Sequence, residues 1–499
     1  MKDWKHINMK RNLRPKDIND VIALFDSKSS TEFDNVEPKT YKERKRILQN
    51  AGFNPFLIDF ENIFKDLSSN PDVMNRNYRE YSNINPKEME DVELIEHTCH
   101  QNLTLNHSVR SMFGYQYNIS FNQNNGAELI LPPTLIGYRE RSKGLNRENM
   151  VAISNGFLCS TKNYTERYFC DVINVPCKNA ANTAINKSFK GNFDIEKLVL
   201  AIEEIGPNNV PYIVSTVTSQ ITGDQPVSIA NLRAVYEIAQ SYDIPVVMDC
   251  ACFAENAYLI KKREAEFKGL DLRFVVQEMF RHADILTMST NKEVMKTGSL
   301  IAFKNESLYQ VRGECGLLNS LMYNHSFFKS CTGTEEKTTK RQLSFSFEEA
   351  INETRLDFRF HQVNYLVDRL KQIGVPCQQA GVNAIYVDAA KLFPHIPSNA
   401  FPGLVLACEL YKVSGVRGLE VGSLMQGRSK KTKEQHQSIA EFLRISLPLE
   451  INAQKCYDYL IEAFKLILLK AQSVKGLRFT LEPILFRQFN AEFELIDLH

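Results

Sequence analysis

Ile244-Pro245-Val246-Val247-Met248-Asp249 is an apolar run that stops on a carboxylate. A polar, helix-like segment, Glu255-Asn256-Ala257-Tyr258, follows it. A second apolar run, Ala283-Asp284-Ile285-Leu286-Thr287-Met288, ends on Ser289-Thr290-Asn291-Lys292, and a third comes next at Ser299-Leu300-Ile301-Ala302-Phe303. Short apolar runs alternating with helical spacing predict βαβ units and a mainly parallel sheet. Ligands in such sheets lie at the carboxyl ends of the strands, where this reading puts both Asp249 and Lys292. A carboxylate at one strand end and an amine just past the next is the pair that pyridoxal phosphate (PLP) chemistry uses. The amine joins the aldehyde, and the carboxylate keeps the ring nitrogen protonated so that the ring accepts electrons. On spacing alone, two solvated loop residues fit the same pattern.

The same alternation extends on either side. Asp194 is placed to cap a helix over Ile195 to Ile205, and Asn208-Asn209 turns the chain into a strand from Val210 to Val217. Ser228 to Ser241 reads as the helix that feeds the strand ending on Asp249. Toward the N-terminus, residues 1 to about 37 read as a polar arm, and Lys42 to Asn50 is helical in pattern. From Ile351 a long amphipathic helix begins, running through Gln362 to Val367. Strands over Ala384 to Val387 and Leu443 to Leu447, with helices around Leu404 and Ala453, predict a smaller α+β domain. The charged run from Thr332 to Arg341 reads as a solvated loop.

Composition narrows the function classes. A chain of 499 residues is long enough for two or three domains. Its net charge of +1 provides no field that would favour nucleic acid or an acidic membrane. The 11 cysteines are odd in number and include no CxxC pair, which predicts reduced thiols. His97-Thr98-Cys99-His100 and Cys250-Ala251-Cys252 lack the partner clusters that a zinc site needs, so no metal is expected. The start, Met1 to His6, has no apolar core, and no apolar run approaches the roughly 18 residues of a membrane span. A cytoplasmic protein is expected.

The wording of four segments goes further than spacing. Asn208-Asn209-Val210-Pro211-Tyr212-Ile213-Val214, Gln225-Pro226-Val227-Ser228, Ile244 to Asp249 and Ala254 to Tyr258 closely resemble the β-eliminating lyase family. Within that family the tryptophanase (tryptophan indole-lyase) branch is nearer than the tyrosine phenol-lyase branch. The resemblance runs from about Pro38 to the C-terminus and includes Gly52 to Asp59 and Met112 to Tyr117. It implies an aminotransferase-like α/β fold, the PLP fold type I, with a mainly parallel sheet in the large domain and a smaller α+β domain. The implied division is an arm at 1–37, the N-terminal part of the small domain at 38–75, a large PLP-binding domain at 76–345 and the C-terminal small domain at 346–499.

The resemblance also implies roles. Lys292 falls on the Schiff-base lysine and Asp249 on the partner of the ring nitrogen. Ser289 and the Gln123-Asn124 turn fall where the family binds phosphate, and Phe157 falls on the aromatic that stacks on the ring. Gln220 falls on an Asn that touches cofactor or substrate carboxylate, Cys252 on an Arg near the cofactor's phenolic oxygen, and Arg444 on the Arg that grips the substrate α-carboxylate. Structural readings compete with several of these: Asp249 as a turn cap, Phe157 as core.

Some positions depart from the pattern. Asn125 replaces an Arg at the phosphate, which removes a charged hydrogen bond worth roughly 1.5–3 kcal/mol. Val421 is apolar where tyrosine phenol-lyases have an Arg. Leu158 and Gln488 replace an acid and a His that tryptophanases keep near the indole, and Glu96 falls near the position of an active-site tyrosine. Thr297 replaces an Asn ligand of a monovalent cation. The grip and the electron sink remain, whereas the groups that protonate an aromatic leaving group do not. The implied enzyme acts on a small-molecule L-amino acid by Cα deprotonation and β-elimination or β-replacement, with a substrate other than tryptophan or tyrosine. An aminotransferase-type reaction and a non-catalytic tryptophanase paralogue are the alternatives. A homo-oligomer, dimer or tetramer, is expected, without nucleic-acid or membrane partners.

Overall fold

The structure is a computed structural model that describes residues 39–68, 105–121, 126–289, 298–309, 346–429, 432–447, 453–483 and 487–497. Lys292, Gln123, Asn124, Asn125, Glu96 and Thr297 lie outside the described residues. The chain divides into two compact units, one from Asp72–Ala180 and Lys187–Phe360, the other from Met1–Pro71, Ala181–Asn186 and His361–His499.

The first unit is built on a seven-stranded sheet of β1 (Tyr117–Phe121), β2 (Val151–Ser154), β3 (Asp171–Asn174), β4 (Ile213–Thr216), β5 (Val246–Asp249), β6 (Ile285–Ser289) and β7 (Ser299–Phe303). Their order across the sheet is β1-β7-β6-β5-β4-β2-β3. The pairs among β6, β5, β4, β2 and β3 are all parallel, and only β7 runs the other way, against β6 and β1. The carboxyl ends of the other six strands therefore share one edge. Every residue of β4, β5 and β7 is buried, as expected of strands covered on both faces. That is why Val246–Met248 of β5 and Leu300–Phe303 of β7 read in the sequence as apolar runs.

The crossovers are helices α1 (Gly126–Lys143), α2 (Cys159–Arg167), α3 (Ile195–Ile205), α4 (Ile229–Ser241), α5 (Phe253–Arg263) and α6 (Leu272–Phe280). Their starts follow capping chemistry: the side chains of Asp194, Ser228 and Asp271 accept backbone N–H bonds from the first turns of α3, α4 and α6. The predicted bounds of α3 and β7 match the observed ones. The strand expected from Val210 is shorter, because Pro207–Asn209 forms a 3-10 turn and pairing begins at Ile213.

Helix α5 differs from its polar reading. Every residue from Phe253 to Ile260 is buried. Its polar groups are matched inside: the Asn256 amide donates to the Val227 carbonyl (3.1 Å) and accepts from the Val227 N–H (2.8 Å). A polar side chain that closes on a backbone segment is no longer a surface marker.

The second unit carries an antiparallel three-stranded sheet of β8 (Ala384–Asp388), β9 (Leu419–Val421) and β10 (Phe442–Ser446), in the order β9-β10-β8. One face packs on helices α8 (Pro402–Ser414) and α9 (Ala453–Lys470) and on the half of α7 (Glu353–Gln372) that follows His361. Leu443, Ile445, Ile385 and Val387 join Leu404, Leu410, Leu460, Phe464, Val363 and Leu370 in its core. The helix Tyr41–Asn50 adds Leu48 and is closed by a capping box between Thr40 and Glu43. Gly415, at φ +71, ends α8 in the left-handed conformation.

Candidate active site

The shared carboxyl edge of the first unit gathers the described candidate residues of that unit. Asp249 is the last residue of β5 and only 3% exposed. Parallel pairing sets Thr216 of β4 beside it, and the Val217 N–H donates to its carbonyl (2.8 Å). The Thr161 hydroxyl on α2 donates to Asp249 Oδ2 at 3.4 Å. Thr161 is anchored in turn by the next turn of α2, where Thr165 Oγ1 bonds the Thr161 carbonyl (2.7 Å) and lies 2.8 Å from the Tyr212 hydroxyl.

Phe157 lies three residues beyond β2 and is buried. Its N–H donates to Asn174 Oδ1 (2.9 Å). The turn that carries it is tied down by Asn155, whose amide donates to the carbonyls of Gly191 (2.7 Å) and Thr216 (3.0 Å) and accepts from the Thr216 N–H (2.9 Å). Gly156 has no room for a side chain: a Cβ there would lie 2.1 Å from Ser219 Oγ. That close approach lets Ser219 Oγ donate to the Gly156 carbonyl (3.0 Å) and binds the turn after β2 to the turn after β4.

Gln220 opens the 3-10 turn Gln220–Thr222 just past β4 and is half-buried. Ser289 ends β6 and is also half-buried. Cys252 precedes α5 and is buried. Its neighbour Cys250 donates to the Thr287 carbonyl (3.2 Å), and burial first, then the nearby Asp249 and Cys252, push its thiol well above the usual range. That thiol stays neutral and acts as a small apolar group. Strand β1 ends at Phe121 on the same edge, next to Ser299.

Arg444 belongs to the second unit. It lies mid-strand in β10, between Leu419 of β9 and Tyr386 of β8, and is 3% exposed. Its guanidinium donates to the Ser68 carbonyl (2.9 Å) and contacts Asn383 Oδ1 (3.5 Å). Val421 is buried on β9 opposite Phe442. Gln488 is buried in the turn Arg487–Asn490, where its carbonyl accepts from Asn54. Leu158 is buried just before α2.

The same unit holds two acids that the sequence did not single out. Glu420 and Glu441 flank Gly422, where an added Cβ would lie 2.6 Å from one carboxylate and 2.2 Å from the other. Glu420 is buried, and its carboxylate faces the backbone N–H groups of Leu424 and Met425. Burial, then the Glu441 charge, hold its pKa well above the usual range. Glu441 accepts from the Ser423 N–H (3.1 Å) and hydroxyl, and burial raises its pKa to about 7 against those bonds.

The donor set at the edge of the first unit suits PLP. A buried carboxylate is matched to a cationic ring N–H, a buried aromatic to the ring face, and a strand-end hydroxyl to phosphate. Thr218, two residues past β4, adds a buried hydroxyl with no partner among the described residues. Thr161, Thr218 and Ser219 escaped the sequence reading because isolated hydroxyls carry no local signal.

A family model described as beta-eliminating lyase matches residues 97–463. The chain is 43% identical over 470 residues to a tryptophanase of Escherichia coli O157:H7 (strain EC4115 / EHEC), covering 92% of this chain and 96% of that protein. A tryptophanase of Escherichia coli O157:H7 gives the same values. Among solved structures, one of SPT with its PLP internal aldimine superposes with a TM-score of 0.50 at 13% identity, covering 86% of this chain and 97% of that one. At that identity the likeness concerns the fold alone.

Proposed function

The chain belongs to the β-eliminating lyase family and is a PLP-dependent lyase, and we propose that it acts on an L-amino acid other than tryptophan or tyrosine. Removal of the Cα proton would lead to β-elimination or β-replacement of a substituent that leaves without strong acid assistance. The observation that carries this reading is the buried Asp249 carboxylate at the end of β5, on one strand edge with Phe157 and Ser289.

Lys292 would hold PLP covalently, with Asp249, Ser289, Gln123, Asn124, Phe157, Gln220 and Cys252 around it. When bound, the cofactor supplies an electron sink for the charge left at the substrate Cα. Asp249 accepts the ring N–H and, buried as it is, keeps that proton in place. Thr161 orients the same carboxylate. Arg444 and Gln220 hold the substrate carboxylate, Arg444 by paired N–H donors. The Lys292 amine takes the α-proton.

Specificity follows from what the chain lacks. Leu158 and Gln488 provide no acid for an aromatic leaving group, and a positioned acid is typically worth 10²–10⁴-fold. Val421 provides no charge for a phenol. A thiolate needs neither. We place the enzyme in the cytoplasm as a homo-oligomer, a dimer or tetramer.

The test is a screen of L-amino acids with PLP-loaded protein, reading pyruvate and ammonia and comparing substrates with β-thiolate leaving groups against tryptophan and tyrosine. Turnover is expected with the thiolate group and is abolished in Lys292→Ala. Tryptophan as the fastest substrate would overturn the specificity. Equal rates in wild type and Lys292→Ala would overturn the mechanism.

A further inference from the structure

Two hydroxyls in and just beyond β4 have no hydrogen-bond partner among the described residues: Ser215 Oγ and Thr218 Oγ1. Both residues are buried, at 1% and 4% exposure. A protein rarely buries a hydroxyl unpaired, and each instance calls for an explanation.

Their positions differ. Ser215 lies inside the strand and alternates with Val214 and Thr216. Val214 packs with Phe157, Val247 and Ile285, and Thr216 pairs with Asp249, so Ser215 points to the opposite face of the sheet. Thr218 lies at the carboxyl edge. The residue before it, Val217, donates its N–H to the Asp249 carbonyl, and the residue after it, Ser219, donates its hydroxyl to the Gly156 carbonyl. Strand β4 is also the strand between β5 and β2. Thr218 is therefore bracketed by the segment that ends on the ring-pairing carboxylate and the segment that leads into the stacking aromatic. A group held by Asp249 and Phe157 meets the end of β4.

We propose that the Thr218 hydroxyl is a direct contact of the cofactor, hydrogen-bonding a polar substituent of its ring and finding there the partner that the described residues do not provide. This rests on the reading of Asp249 and Phe157 as cofactor residues. It assigns Thr218 a binding role and Ser215 none.

The experiment uses the full-length protein stripped of PLP, with two readouts: the thermal midpoint of the apoprotein and the PLP dissociation constant from the absorbance of the bound cofactor. Thr218→Val keeps the side-chain shape and removes the oxygen. Its apoprotein should melt at or above the wild-type midpoint, since an unpaired buried polar group has been replaced by a methyl. Its PLP dissociation constant should rise about three- to tenfold, the worth of one neutral hydrogen bond. Thr218→Ser should restore binding. Ser215→Ala should share the effect on melting and leave the dissociation constant unchanged. Wild-type PLP affinity in Thr218→Val, or a lowered apoprotein midpoint, would overturn the proposal. Thr218→Ala removes the same oxygen and is the second variant for the dissociation constant, where wild-type affinity would likewise overturn the proposal. Asp249→Ala separates the two readings. Normal PLP binding there with weakened binding in Thr218→Val sinks the Asp249 assignment and leaves Thr218 standing, and the reverse result sinks Thr218 alone.

Discussion

Asp249 shows how much one position can depend on its surroundings. The sequence identifies a carboxylate after an apolar run. The fold removes it from water and gives it the Thr161 hydroxyl on one oxygen. Asp249→Asn keeps the shape and removes the charge, so the ring nitrogen loses a charged partner worth roughly 1.5–3 kcal/mol. PLP affinity should fall about ten- to hundredfold, as read by titration of the apoprotein. Glu441 makes a pH-dependent prediction. Its pKa is raised from the ordinary 4.5 to about 7 in the fold, so the folded state binds its proton more tightly than the unfolded state. The stability gained from that proton is full below the unfolded value and is lost as pH rises toward 7, by on the order of 3 kcal/mol in all. Glu441→Gln should flatten the fall of the unfolding midpoint between pH 5 and about 7. An unchanged slope would show that Glu441 does not hold the proton.

At the scale of elements, the caps and strand runs carry the legible part. Asp194 accepts from the Lys197 N–H at the start of α3, as the spacing predicts. Asp194→Ala should destabilise the protein by about 0.5–2 kcal/mol, checked by denaturant unfolding. The reading of α5 as polar fails because helical spacing of Glu255 and Asn256 says nothing about what the helix meets. Only the approach of Val227 turns Asn256 into an interior group. In the same way, the turns after β2 and β4 are held together by Asn155, Gly156 and Ser219, residues about sixty positions apart in the chain. No local pattern links them.

For the whole molecule, the division into two units separates two proposed jobs. Asp249 and Phe157 belong to the unit with the parallel sheet, and Arg444 to the unit with the antiparallel one. Arg444→Gln should therefore raise the KM for an amino acid at least tenfold while leaving PLP affinity unchanged, a split that kinetics and cofactor titration read separately. A fall in PLP affinity would show that Arg444 also supports the cofactor side. Among the described residues no helix is long and apolar enough to cross a membrane.

By itself the sequence determined that β4 to β7 are buried strands, that α3 and α4 begin on Asp194 and Ser228, and that a carboxylate ends β5. Burial on both faces and helix capping act through neighbours in the chain, so they leave a local record. Tertiary structure alone decided that Thr161 reaches Asp249, that Thr218 is buried without a partner among the described residues, and that Glu420 and Glu441 meet across Gly422. Those contacts depend on the order of strands in a sheet and on which helix covers which edge. That is set by the packing of distant segments and by no property of the residues taken one stretch at a time.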